Sequence, residues 1–289
     1  MSRIEVPSSW ESLAFSGMGG VVLVVGATDT GKTTFARHLY RRLCAHHERL
    51  AFLDGDMGQA TLGPPTTMSM ALGQGDDAGF PPAGPQYRVF VGDISPTGHM
   101  LPTVVGAGRL VEKAQDEGAT AIVVDTTGLI APKQGGGALK LALVDLLRPQ
   151  VVVGLQRGSE LEHLLVPLRC SRRTRVIDRE VSGAVRRRDM NTRRAHRAER
   201  YRRTFEGARP LTFRWPGRAV IPRPSFTEHR LVALEDRDGF VLQLGIVIDG
   251  DLDNGSVTLL TPLRSLDDVD TVHVGNVAVH PKTFEDRRL

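Results

Sequence analysis

Residues 26–33 read Gly-Ala-Thr-Asp-Thr-Gly-Lys-Thr, which satisfies G-x-x-x-x-G-K-[ST] at every fixed position. Val21–Val25, just before it, is a short apolar run of the kind that forms a buried strand. Thr34–Leu43, just after it, carries apolar residues at helical spacing. A loop between a buried strand and a helix N-terminus presents unpaired backbone N–H groups and the positive end of the helix dipole, a setting that favours phosphate. Few folds tolerate such a junction, and the pattern implies a nucleoside-triphosphate site formed by Gly26, Ala27, Thr28, Asp29, Thr30, Gly31, Lys32, Thr33 and Thr34. Lys32 is expected to reach the β- and γ-phosphates, and the Thr33 hydroxyl to help hold Mg²⁺.

Beyond this loop, apolar strand-like runs recur at 21–25, 50–54, 87–91, 120–125 and 150–155. Helical patterns fill most gaps, near 32–47, 103–117, 137–148 and 159–166. Strands alternating with helices predict an α/β fold, a P-loop NTPase with a mostly parallel sheet flanked by helices. Gly, Pro and polar residues crowd residues 63–86, which read as a long surface loop. The 289 residues suffice for one such domain and a smaller module. After about residue 208 the rhythm changes. Arg230–Leu234, Gly239–Ile248, Ser256–Leu260 and Thr271–Val279 read as strands broken by Arg237-Asp238-Gly239 and Asp253-Asn254-Gly255, the pattern of an antiparallel β module. The expected organisation is a polar lead-in over 1–19, in which Trp10 packs on the domain, then a P-loop domain over 20–207 and a C-terminal β-rich module over 208–289.

No apolar run approaches the roughly 20 residues of a membrane span, and no signal-peptide pattern opens the chain. Cys44 and Cys170 have no disulfide or metal spacing. A cytoplasmic protein with no membrane partner is expected. The net charge of +4 conceals a local bias. Residues 169–203 hold fourteen arginines against four acids, a local +10 that leaves −6 for the rest.

Three carboxylates end strands on the side where open α/β sheets bind ligands. Asp54 and Asp56 lie on the same side of an extended chain, so both could face the site. A carboxylate there can hold Mg²⁺ or accept a proton from an attacking hydroxyl; the plain alternative is a strand-end turn. Asp125, after Ala121–Val124, also fits an Mg²⁺ ligand, so Thr33, Asp54 and Asp125 are the candidate metal residues. Gly135-Gly136-Gly137 could bring backbone close to a substrate or simply turn the chain. In the loop Gly92–His99, the hydroxyls of Ser95 and Thr97 could contact phosphate or ribose, or serve a turn. Arg193, Arg197 and Arg200 recur at i, i+4 and i+7, so a helix puts them on one face. That face suits an arginine finger, a clamp on a nucleic-acid backbone, or a solvated surface.

In this order the motifs resemble the polynucleotide 5′-hydroxyl kinase family, which includes the kinase subunit of the pre-mRNA cleavage factor, ribosomal-RNA-processing kinases and smaller archaeal and bacterial members. The resemblance runs over most of 20–207. It covers the phosphate loop with Asp29, Asp56-Met57-Gly58-Gln59, Ser95-Pro96, Thr126-Thr127-Gly128 and an arginine-rich helical lid at about 182–207. It implies an ATP- and Mg²⁺-dependent kinase acting on the 5′-hydroxyl end of RNA, with DNA as a candidate second acceptor. Lys32, Asp56 as base, and the lid residues Arg193 and Arg197 would be catalytic, with Arg194 or Arg200 as alternative lid residues and Asp54 in support. Acceptor contacts would come from Gln59, Ser95, Thr97, Thr126, Thr127, Gly128, Arg194 and Arg200. Leu129 stands where the family often has a tryptophan that stacks on a base. A regulatory ATPase, a nucleotide-stabilised RNA-processing scaffold and a small-molecule kinase are the alternatives to transfer onto nucleic acid.

Overall fold

The computed structural model of the chain describes residues 6–15, 17–74, 79–251 and 254–289. Its strands are β1 Gly20–Gly26, β2 Arg49–Asp54, β3 Thr67–Gln74, β4 Gln86–Phe90, β5 Ala121–Asp125, β6 Val151–Gln156, β7 Arg175–Glu180, β8 Arg209–Arg214, β9 Ala219–Ile221, β10 Arg230–Glu235, β11 Val241–Asp251, β12 Ser256–Thr261, β13 Thr271–Val279 and β14 Asp286–Arg288. Its α-helices are α1 Ser8–Glu11, α2 Lys32–Leu43, α3 Met100–Asp116, α4 Gly136–Leu147, α5 Glu162–Ser171 and α6 Met190–Thr204.

The first sheet runs β4-β3-β2-β5-β1-β6-β7. From β2 to β7 neighbouring strands are parallel. Apolar residues fill the middle strands without alternation, as a sheet covered on both faces requires: Val22, Leu23 and Val24 of β1 are fully buried. β1 lies between β5 and β6, so the phosphate loop leaves the centre of the sheet. Trp10 of α1 is buried with its ring 5.0 Å from Phe35, as expected of the lead-in.

Two elements correct the reading of this half. The expected surface loop at 63–86 contains β3, antiparallel to β2 and buried along its length from Thr67 to Gly73. Thr67-Met68-Ser69-Met70 alternates polar and apolar residues, but the flanking Gly and Pro obscured it. β7, with only Val176 and Ile177 apolar, is an edge strand carrying charge, which blunts an edge against further pairing.

The second sheet runs β14-β13-β10-β11-β12-β8, with β9 pairing in parallel to β13 and the other pairs antiparallel. β8, β9 and β14 have no counterpart among the expected strands. Gly255 (φ +64°) closes the turn before β12, and Asp253, expected in that turn, lies outside the described residues. The chain forms two compact units. One comprises Met1–Asp56, Ser69–Gln86 and Met100–Arg188, as far as described; the other comprises Met57–Met68, Tyr87–His99 and Asp189–Leu289. The helix α6 thus belongs with the second sheet, rather than with the 20–207 segment expected from sequence. Among the described residues no helix is long and apolar enough to cross a membrane.

Candidate active site

In the first unit the phosphate loop bends on two left-handed residues, Asp29 (φ +56°) and Gly31 (φ +79°). Gly31 is the N-cap of α2 and has no side chain to satisfy the first N–H groups of the helix. That leaves the helix start available to an anion. Lys32 is buried and its Nζ donates to the Ala27 carbonyl at 2.6 Å, curling the lysine back over the loop. The Thr30 hydroxyl donates to the same carbonyl at 2.9 Å. Asp29 is tied at both ends: its carbonyl accepts from Arg157, and its carboxylate accepts from the Arg188 N–H at 3.3 Å.

The strand-end carboxylates gather beside this loop because β2 and β5 are adjacent with Asp54 and Asp125 in register. Asp125 is 1% exposed, and neither of its oxygens meets a protein donor in hydrogen-bonding geometry. Burial pushes its pKa up to about 7 and the neighbouring Asp54 adds to the rise; Lys32 and the nearby Thr33 hydroxyl oppose it. Asp54 is also buried and accepts from the Asp56 N–H at 3.2 Å, which sets the Asp56 turn. Asp56 alone of the three is partly exposed.

A buried carboxylate with unsatisfied oxygens, beside a threonine hydroxyl and a loop shaped for phosphate, fits a hard divalent cation. Thr33 and Asp125 would hold Mg²⁺, which keeps several waters and shares phosphate oxygens instead of needing a full protein cage. Accordingly, no group of three or more His, Cys, Asp or Glu among the described residues is arranged as a metal cage.

The Thr126–Gly128 loop is built inward. The Thr126 hydroxyl donates to the Val24 carbonyl at 2.8 Å, and Thr127 receives the Lys140 Nζ at its carbonyl (2.8 Å) and hydroxyl (3.2 Å). Gly128 lies against the phosphate loop so closely that a Cβ there would stand 2.8 Å from the Thr28 backbone nitrogen. Both hydroxyls, expected at an acceptor, are therefore engaged by the protein itself.

Two basic residues of this site escaped the sequence reading. Lys140 is 2% exposed, and burial pushes its pKa down to about 7, with Lys32 adding to the fall. Its signal is a lysine on the apolar stripe Gly136, Gly137, Lys140, Leu143, Val144, Leu147 of α4. Arg37 of α2 lies over the Phe80 ring at 4.4 Å; burial lowers its pKa, and the nearby Asp54 and Asp125 oppose that.

The family profile described as mRNA cleavage and polyadenylation factor CLP1 P-loop matches residues 26–207, well over half of the chain. The chain belongs to the CLP1 P-loop family. A polyribonucleotide 5′-hydroxyl-kinase of Methanocaldococcus jannaschii is 26% identical over 318 residues, covering 89% of this chain and 86% of that protein. One of Pyrococcus furiosus is 31% identical over 193 residues, 66% of this chain and 52% of its own length, so the chain spans about half of that relative. A chain of the wild-type Clp1p–Pcf11p complex shares the fold with a TM-score of 0.68 at 13% identity, over 94% of this chain and 76% of that one.

The remaining CLP1-type candidates fall in the second unit. There α6 is capped by Asp189, whose carboxylate accepts from the Thr192 N–H at 2.7 Å. Gln59 donates to the Arg193 carbonyl at 3.4 Å, His196 is paired with the Ala60 carbonyl at 3.1 Å, and Arg200 donates to the Gly63 carbonyl at 2.6 and 3.1 Å. Arg197 is buried and bonded by two nitrogens to Asp286. Arg197 and Arg200 thus engage protein partners, whereas Arg194 is exposed and Arg193 half-buried. Ser95 accepts from the Thr97 N–H at 3.2 Å, and its own N–H donates to Asp93 at 3.0 Å, the bonding of a turn.

Proposed function

We propose that this member of the CLP1 P-loop family is an ATP- and Mg²⁺-dependent kinase that phosphorylates the 5′-hydroxyl end of RNA, with DNA as a candidate second acceptor. One observation carries the reading: the three strand-end carboxylates differ in exposure. Asp125 and Asp54 are buried, Asp125 near Lys32, whereas Asp56 is partly exposed, which suits it to an incoming hydroxyl. A switch ATPase needs no proton acceptor for a bulky alcohol.

Lys32 and the backbone of residues 26–33 would orient the triphosphate, and Thr33 with Asp125 would hold Mg²⁺. Bound there, the cation neutralises charge on the phosphate oxygens. Asp56 takes the proton of the 5′-hydroxyl as its oxygen bonds to the γ-phosphorus, and the bridging oxygen leaves with ADP. Asp54 fixes the Asp56 backbone through its 3.2 Å bond. Arg193 and Arg194 would be the lid residues that meet phosphate; Arg194 is exposed and Arg193 half-buried. Curated relatives named as polyribonucleotide 5′-hydroxyl-kinases support this choice of acceptor.

The test is transfer of labelled γ-phosphate from ATP to matched 5′-hydroxyl RNA and DNA oligonucleotides, with 5′-phosphorylated strands and a Lys32→Ala protein as controls. Label on the 5′-hydroxyl strands alone is expected. Free phosphate with no labelled strand would refute the kinase and favour an ATPase.

A further inference from the structure

α6 is an unusual helix to find docked. Seven of its fifteen residues are charged, and its buried positions are Arg197 and Tyr201, one turn apart on one face. Its side-chain ties from His196 to Ala60 and from Arg200 to Gly63 end on backbone carbonyls. Among the described residues, its one buried tie between two charged side chains is a forked ion pair: Arg197 Nε and Nη2 meet the two Asp286 oxygens at 2.6 and 2.9 Å. The side chains are 11% and 1% exposed. Removing either partner strands a buried charge, and a planar fork fixes direction as well as distance.

Asp286 opens β14, and Arg288 follows on the same side of that strand. Arg288 Nε donates to the buried Asp93 at 3.0 Å, and its Nη2 pairs with the same oxygen at 2.9 Å and with the Thr97 carbonyl at 3.3 Å. Asp93 in turn receives the Ser95 N–H. One short strand therefore grips both α6 and the Gly92–His99 loop, two of the parts of this unit that carry family motifs.

We propose that Asp286 and Arg288 are positioning residues: β14 clasps the lid helix through Arg197 and the Ser95 loop through Asp93. Arg193 and Arg194 lie four and three residues before Arg197, so the fork sets the direction in which they point. Arg197 then acts on the lid and not on phosphate, and the C-terminal sheet, which carries no recognisable catalytic motif, governs transfer. The consequence for transfer rests on the kinase reading; the clasp itself does not.

The experiment measures steady-state transfer and amide hydrogen exchange in the full-length wild type, Asp286→Asn, Arg197→Met, the double variant and the milder Asp286→Glu. Each single substitution is expected to lower kcat about tenfold or more with the KM for ATP within about threefold, and the double variant to be no worse than the worse single. Asp286→Glu, keeping the charge but shifting the fork, should fall between. Exchange over residues 190–204 should accelerate in Asp286→Asn while that of β1 and α2 stays unchanged. Wild-type kcat in Asp286→Asn beside a dead Arg197→Met, or additive losses, would place Arg197 on the phosphate and overturn the clasp. Unchanged exchange across α6 would overturn it whatever the activity. If the wild type labels no 5′-hydroxyl strand, the kinase reading fails and the exchange result alone decides the clasp.

Discussion

Asp125 and Lys140 carry opposite charges inside one unit, and burial drives both toward neutrality near pH 7. The folded Asp125 keeps its proton where the unfolded one has lost it, so its penalty grows as pH rises from about 4 to about 7. The folded Lys140 loses its proton where the unfolded one keeps it, so its penalty is full below pH 7 and fades toward about 10.5. With each pKa displaced by about three units, either penalty reaches about 4 kcal/mol at most. Metal- and nucleotide-free protein should therefore be least stable near pH 7. Denaturant unfolding against pH should lose its falling limb in Asp125→Asn and its rising limb in Lys140→Met; curves parallel to wild type would disprove the assignment. Asp56 is partly exposed, and its N–H is bonded to Asp54. Asp56→Asn should keep ATP affinity within about threefold while lowering turnover by about 10²-fold or more. Equal loss of both would make Asp56 a metal ligand.

At the scale of elements, the phosphate loop and the Thr126–Gly128 loop are in contact. A methyl group at position 128 would stand 2.8 Å from both the Thr28 backbone nitrogen and its Cα. Backbone on both sides cannot yield as a side-chain tip can. Gly128→Ala should weaken ATP binding about tenfold or more and reduce stability by about 1–3 kcal/mol, as overpacking does. Calorimetric titration with ATP showing wild-type affinity would remove this contact from the account. The motif at 26–33 made the loop legible, since strand, turn residues and helix all agree locally. Thr126 to Gly128 were legible as a strand-end loop, but not as a part whose hydroxyls serve Val24 and Lys140. Partners distant in sequence leave no local trace. β3 and β7 were missed for related reasons. Neighbouring Gly and Pro mask the alternation of one, and in the other charged residues flank an apolar run of only Val176 and Ile177.

The whole molecule divides where the sequence gives no sign. The family match ends at residue 207, just after α6, which invites a cut between 207 and 208. Yet Tyr201 of α6, Phe205 at its C-cap and Phe90 of β4 are buried in one cluster with Leu231, Ala233, Leu244, Ile246, Val277 and Val279 from the second sheet. Burying a large side chain contributes about 1.5–3 kcal/mol, so three aromatics alone approach the 5–15 kcal/mol that holds a typical domain together. The same cut removes Asp286 from Arg197 and Arg288 from Asp93, leaving buried charges unpaired. A protein ending at residue 207 should therefore be more aggregated or molten than the full chain under the same conditions, with α6 exchanging its amides at the rate of an unfolded segment. Supplying residues 208–289 during refolding should recover part of the soluble material, because the missing sheet restores the apolar surface and both ion pairs together. A monodisperse 1–207 protein with full kinase activity would mean that the second sheet neither stabilises nor orients the lid, and would overturn the clasp as well.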